Sequence, residues 1–77
     1  MECRIIRNIA ILGHKGIWTK ELNIVRWYDK HDRFDIREWS ADHRFINKGG
    51  ITLSDDEMSN LKEAINTMYY TYTDDSE

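Results

Sequence analysis

The chain has 77 residues, a formal net charge of −3 with its histidines neutral, 40% hydrophobic and 32% charged residues. Those proportions belong to a folded domain and exclude wholesale disorder. No apolar run approaches the roughly 20 residues that a membrane helix needs, and the opening Met1-Glu2-Cys3-Arg4 lacks the apolar core of a secretory leader, so the expectation is a cytoplasmic chain with no membrane partner.

At this length the reading is one domain over residues 1–77, with a core marginal for independent folding, which oligomerisation would remedy. Cys3 is the only cysteine, so neither an internal disulfide nor a Cys-x-x-Cys element is available. The charge is unevenly spread: residues 1–53 hold ten Lys/Arg against seven Asp/Glu, and residues 54–77 hold one against seven. That asymmetry permits a basic face on the first two thirds of the chain in spite of the net acidity.

In chain order, residues 3–12 are rich in β-branched side chains and predict a first strand, followed by a turn signal at Gly13-His14-Lys15-Gly16. Residues 18–28 alternate Lys20, Leu22, Ile24, Arg26 and Tyr28 with Thr19, Glu21, Asn23, Val25 and Trp27, the pattern of a half-buried strand. Asp29-Lys30-His31-Asp32 is a connection of hairpin length, and residues 33–39 resume the alternation as an antiparallel third strand. There Phe34 and Ile36 read as core, and Arg33, Arg37 and Trp39 read as an accessible face. After Lys48-Gly49-Gly50, Ile51-Thr52-Leu53 ends a short fourth strand. Ser54-Asp55-Asp56-Glu57 is a capping box that starts a helix at residue 55, and Met58, Leu61, Ile65, Met68 and Tyr72 form its apolar stripe, with residues 73–77 as a fraying tail.

Catalysis finds little support. His14, His31 and His43 fall at predicted turns without a second ligand at helical spacing, so no metal site is expected. The acids sit where solvation or capping explains them, and no nucleophile motif or phosphate loop occurs, so neither an enzyme nor a cofactor is expected. By contrast, Trp18, Trp27 and Trp39 interleave with Lys20, Arg26, Arg33 and Arg37, a mixture suited to stacking bases and neutralising phosphates of a flexible single strand. The same pattern also fits tryptophans in a core and arginines in surface ion pairs. The helix stripe divides between covering the sheet and meeting a second copy.

The segment Phe34-Asp35-Ile36-Arg37-Glu38-Trp39, then Lys48-Gly49-Gly50-Ile51-Thr52-Leu53-Ser54 and an amphipathic helix, resembles the C-terminal domain of the Positive Cofactor Four coactivator family. The stretch Gly16-Ile17-Trp18-Thr19-Lys20-Glu21-Leu22-Asn23 and the ending Arg37-Glu38-Trp39-Ser40-Ala41-Asp42-His43 are similar to its bacterial YdbC-type members. The resemblance spans about residues 16–66 and implies an α+β fold, a curved four-stranded antiparallel sheet followed by one helix, dimerised through that helix. It implies single-stranded DNA, or RNA, bound with little sequence specificity in transcription regulation or DNA replication and repair. The implied contacts are Lys20, Trp27, Arg37, Trp39 and Lys48, with Trp18 and Asn23 from the YdbC-type likeness alone; Arg33 joins them from the aromatic-basic pattern, and Met58, Leu61, Ile65 and Met68 of the helix stripe are expected at the dimer interface. The implied setting is cytoplasmic or nucleoid-associated, with transcription machinery as a further partner. The family's second aromatic after Arg-Glu is Ser40 here, and Gly49-Gly50 doubles a usually single glycine. The alternative reading is a protein-interaction module that recruits transcription machinery through the helix or exposed aromatics.

Overall fold

A computed structural model describes residues 3–28, 30–47 and 49–75, with side chains described only as far as Met68. Four strands and one helix follow in order: β1 (Cys3–Lys15), β2 (Trp18–Trp27), β3 (Arg33–Ser40), β4 (Ile51–Leu53) and α1 (Asp55–Asp75). The strands form one sheet in the order β1-β2-β3-β4, each pair antiparallel. Alternation of side chains, short connections and a capping box therefore lead to the ββββα arrangement expected from them.

Local chemistry fixes the junctions. Gly16, at φ +61°, makes the β1–β2 turn, where a side chain would be strained. The predicted turn at 13–16 is thus shorter in the structure, because Gly13 and His14 pair with Lys20 and Thr19 and remain in β1. At the start of α1 the Glu57 amide donates to Ser54 Oγ at 3.1 Å and the Ser54 amide donates to Glu57 Oε1 at 2.8 Å, so the capping box forms as read. The helix continues to Asp75, through part of the segment expected to fray.

β1 carries a feature that alternation did not announce. Its register against β2 slips between Ile5 and Arg7, between Asn8 and Ala10, and between Ile11 and Gly13. Ile6, Ile9 and Leu12 are the residues left without a partner, and all three are exposed. Repeated bulges bend a strand and increase its twist, and here they curl the sheet about one face.

That face is the inner one. Cross-strand pairs Thr19–Trp39, Glu21–Arg37, Asn23–Asp35 and Val25–Arg33 lie on it. The buried hydrophobic residues Cys3, Val25 and Trp39 form its centre, with Ile5, Trp27 and Ile46 packed against them. The expectation that the face of Arg33, Arg37 and Trp39 stays accessible is corrected at Trp39, whose exposure is 1%. Two contacts explain the burial. The chain after β3 folds back, with Ser40 N donating to the Phe45 carbonyl at 2.9 Å and Asn47 N to the Glu38 carbonyl at 3.0 Å. It carries Ile46 onto Trp39 through an isolated bridge.

On the outer face Phe34, Ile36 and Leu53 are half-buried, as are Met58 and Leu61 of α1, which among the described residues packs on β3 and β4. Farther along, Ile65 and Met68 are 46% and 61% exposed, and Ile51 on the β4 edge is exposed as well. No described helix is long and apolar enough to cross a membrane.

Candidate nucleic-acid interface

Period-2 geometry divides the sequence-predicted contacts between the two faces of the sheet. Asn23, Trp27, Arg33, Arg37 and Trp39 share the inner face, whereas Trp18 and Lys20 lie on the outer face with Leu22, Ile24 and Arg26. Trp18 and Trp27 also stand at opposite ends of β2, nine residues and about 30 Å apart at ~3.3 Å per residue. One compact site therefore cannot contain all of them. Lys48 lies outside the described residues.

The inner-face residues at the Trp27 end are tied into a closed circuit. The Trp27 Nε1–H donates to Thr52 Oγ1 at 3.1 Å, and the Thr52 hydroxyl donates to Asp35 Oδ2 at 2.8 Å. Arg37 donates twice to the same carboxylate, Nε to Oδ1 at 2.8 Å and Nη2 to Oδ2 at 3.0 Å. Its guanidinium then returns over the Trp27 ring, with Cζ 4.9 Å from the centroid. Residues from β2, β3 and β4 thus fix one indole. Asp35 is fully buried, and three hydrogen bonds satisfy its charge, as burial of a carboxylate requires.

Gly50 completes the arrangement. A Cβ there would overlap the Arg37 side chain at its Cβ, Cζ and Nε, so only a bare backbone passes this close to the guanidinium. Trp27 is half-buried, and Tyr28, next in the chain, is 66% exposed with φ at +54°. Arg26, Lys30, His31 and Asp32 line an open depression at the same end, and Arg33 Nη2 lies 3.1 Å from His31 Nε2. Arg26 is bound to Asp32 at 2.8 Å, both exposed, a contact of small energetic weight. The half-buried ring of Trp27, the exposed Tyr28 next to it in the chain, the cation Lys30 of the connection that follows and Arg33 at the start of β3 thus all belong to the β2–β3 end of the sheet.

The other two inner-face predictions are internal. Trp39 is core, its ring 5.9 Å from that of His43, and its Nε1 has no hydrogen-bond partner among the described residues. Asn23 is fully buried: it accepts from Asn8 Nδ2 at 2.7 Å and donates to Glu21 Oε1 at 3.1 Å. Neither side chain meets solvent, so in this conformation each supports the face from beneath. Cys3 is also internal; burial first, then the Asp35 charge, pushes its thiol up to about 11, against the smaller opposing effect of Arg37.

Tyr28, Asp35, Gly50 and Thr52 were not among the sequence-predicted site residues. Tyr28 reads by alternation onto the Lys20 face, and the left-handed backbone at the end of β2, which alternation does not announce, leaves it exposed. The hydroxyl of Thr52 carries no signal of its role until β4 is laid beside β3 with Thr52 opposite Asp35. Among the described residues no three His, Cys, Asp or Glu side chains converge as a metal would require.

A family model described as Transcriptional Coactivator p15 (PC4) matches residues 13–64, a span that contains β2, β3, β4 and the first half of α1. An uncharacterized protein of Treponema pallidum (strain Nichols) is 34% identical over 65 residues, covering 83% of this chain and 75% of its own length.

Proposed function

The chain belongs to the Transcriptional Coactivator p15 (PC4) family, and from that premise we propose that it binds single-stranded DNA, with RNA as the related ligand, as a homodimer and with little sequence specificity. The observation that carries the reading is the fixed, half-buried indole of Trp27, held by Thr52 and Arg37 at the end of the sheet where Tyr28, Lys30 and Arg33 follow in the chain. A base offers a π-face whatever its identity, and stacking on such a ring contributes roughly 1–3 kcal/mol per base. A duplex keeps its bases stacked on each other and presents none to the ring.

Trp27 and Tyr28 stack bases in this scheme, and Lys30, Arg33 and Lys48 neutralise phosphates. Trp18 and Lys20, on the outer face, serve the strand where it passes round the other end of β2. Trp39 and Asn23 keep the inner face in shape. Met58, Leu61, Ile65 and Met68 form the interface with the second copy, supported by the exposure of Ile65 and Met68 and by the small core of one protomer. The binding serves transcription regulation or the handling of single strands in replication and repair.

The same exposed helix face supports a second reading, a module that recruits a protein of the transcription machinery. Anisotropy of labelled oligo-dT and of a matching duplex, titrated with protein at low and moderate salt, separates the two. Preferential single-strand binding that quenches tryptophan and weakens with salt supports the nucleic-acid reading. No single-strand binding even at low salt overturns it in favour of the recruiting module.

A further inference from the structure

Arg37 is the residue for which the family resemblance implies a direct guanidinium contact with nucleic acid, yet its surroundings leave little for a phosphate to meet. Its side chain is 9% exposed, and the Asp35 carboxylate takes two of its N–H groups in a fork at 2.8 and 3.0 Å. Asp35 is fully buried, so the pair is neutral as a unit and shielded from water. One part of the guanidinium lies over Trp27, and Gly50 approaches it too closely to admit a side chain. The fork leaves three of the five guanidinium N–H groups over, but on a side chain 9% exposed, and drawing Arg37 outward to offer them to a phosphate would leave Asp35 with only the Thr52 hydroxyl as donor, an arrangement disfavoured in a protein interior.

We propose that Arg37 is a positioning residue for the base-stacking platform: paired with Asp35, it holds the Trp27 indole in orientation, and it contributes no phosphate contact. The inference rests on the nucleic-acid reading above and assigns one of its residues to a different task. The circuit Trp27–Thr52–Asp35–Arg37 closes only if the planar fork spans Asp35 while its face covers the indole, which lysine, a point donor without a plane, cannot do. Charge at position 37 therefore does not suffice; shape does.

The test uses the full chain and labelled oligo-dT across a series of salt concentrations, with Arg37→Lys, Arg37→Gln and, as the phosphate-contact control, Arg33→Gln. Each phosphate contact to a single strand contributes about 0.7 to the slope of log affinity against log salt. Arg33→Gln is expected to lower the slope by about that amount. Both Arg37 variants are expected to keep the wild-type slope, to bind about tenfold more weakly, and to shift the Trp27 indole N–H resonance of the free protein. A fall in slope for Arg37→Gln equal to that for Arg33→Gln, or wild-type affinity in Arg37→Lys, overturns the inference and leaves the nucleic-acid reading standing. An unmoved Trp27 resonance in folded Arg37→Gln also overturns it, without reference to any ligand. Absence of oligo-dT binding by the wild-type protein removes the parent reading and this one together.

Discussion

His43 Nε2 lies 2.8 Å from Oε2 of Glu21, a carboxylate 1% exposed on the middle strand pair, twenty-two residues away in the chain. The other oxygen of Glu21 accepts from Asn23 at 3.1 Å and from Asn8 at 3.4 Å, so donors from β1, β2 and the β3–β4 connection converge on it. His43 reaches this position from a left-handed backbone, φ +60°, in a turn held by Asp42, which accepts from the Arg44 amide at 3.0 Å and the Ser40 hydroxyl at 2.8 Å. Those two bonds, the backbone one first, hold the Asp42 carboxyl below its ordinary range. The turn is what seats Ile46 against Trp39, so the polar latch and the core are one construction.

His43→Ala is therefore expected to lower stability by about 1–2 kcal/mol, since water can replace part of a side chain that is 45% exposed. Glu21→Ala is expected to cost more, about 2–4 kcal/mol, because it strands the amide donor of the fully buried Asn23 and empties the space of a side chain 1% exposed. Urea midpoints of the two variants at neutral pH check the ranking; equal midpoints would remove the latch from the account.

The thiol of Cys3 gives a pH dependence of known sign. Its ordinary value of 9.0 rises to about 11 in the fold, chiefly through burial. Between those values the unfolded chain has released the proton and the native one still holds it, so stability is full below pH 9, declines as pH rises toward 11 and levels off above. The denaturation midpoint of wild type should fall across that window by more than that of Cys3→Ala. In the same sense, iodoacetamide at pH 8 should label the native protein far more slowly than the denatured one.

Gly50→Ala adds one methyl group where the Arg37 side chain already sits. Overpacking of this kind costs about 1–3 kcal/mol, and relief by moving Arg37 breaks its fork with Asp35. The variant should unfold at lower urea concentration and bind oligo-dT more weakly, whereas Gly49→Ala, with nothing within 4 Å of its added carbon but φ at +97°, should lose stability through backbone strain while leaving Arg37 in place. Equal oligo-dT affinity in the two variants would disconnect Gly50 from the site.

Period-2 alternation, two hairpin-length connections and a capping box made the strand order and the helix start legible in the residues themselves. The capping box from Ser54 to Glu57 needs only four neighbouring residues, which is why it was readable. The site was less legible because its decisive contacts join distant strands. Trp27 was found by its type and place, but its partners Thr52 and Asp35 depend on the β3–β4 register, and the solvent-facing role expected of Trp39 failed because the connection after β3 folds back and lays Ile46 over it. Alternation tells which side chains share a face and does not tell which face is covered. The bulges at Ile6, Ile9 and Leu12, which curl the sheet, leave no mark in a run of β-branched residues.

Trp27 and Trp39 are distinguished by substitution. Trp27→Ala removes the half-exposed ring and is expected to weaken oligo-dT binding by an amount equivalent to roughly 1–3 kcal/mol. Trp39→Phe shrinks a core side chain that is 1% exposed and deletes an indole N–H without a partner among the described residues; it should lower the urea midpoint and leave oligo-dT affinity within about twofold. Affinity lost in folded Trp39→Phe and kept in Trp27→Ala would reverse the assignment of the stacking ring.

The last prediction concerns the helix. Ile65 and Met68 are exposed on α1, and Ile51 is exposed on the β4 edge, while among the described residues α1 packs on β3 and β4 of its own sheet. A protomer whose described buried hydrophobic core is Cys3, Val25 and Trp39 gains stability from a partner that covers these residues. The double variant Ile65→Glu, Met68→Lys places opposite charges three residues apart, which is tolerated on a solvent-facing helix and disfavoured in an apolar interface. Sedimentation velocity should show wild type as a dimer at micromolar concentration and the variant as a monomer. The urea midpoint of wild type should rise with protein concentration, and that of the variant should not. If wild type sediments as a monomer with a concentration-independent midpoint, α1 has no second copy to meet, and its exposed stripe is left for a different protein.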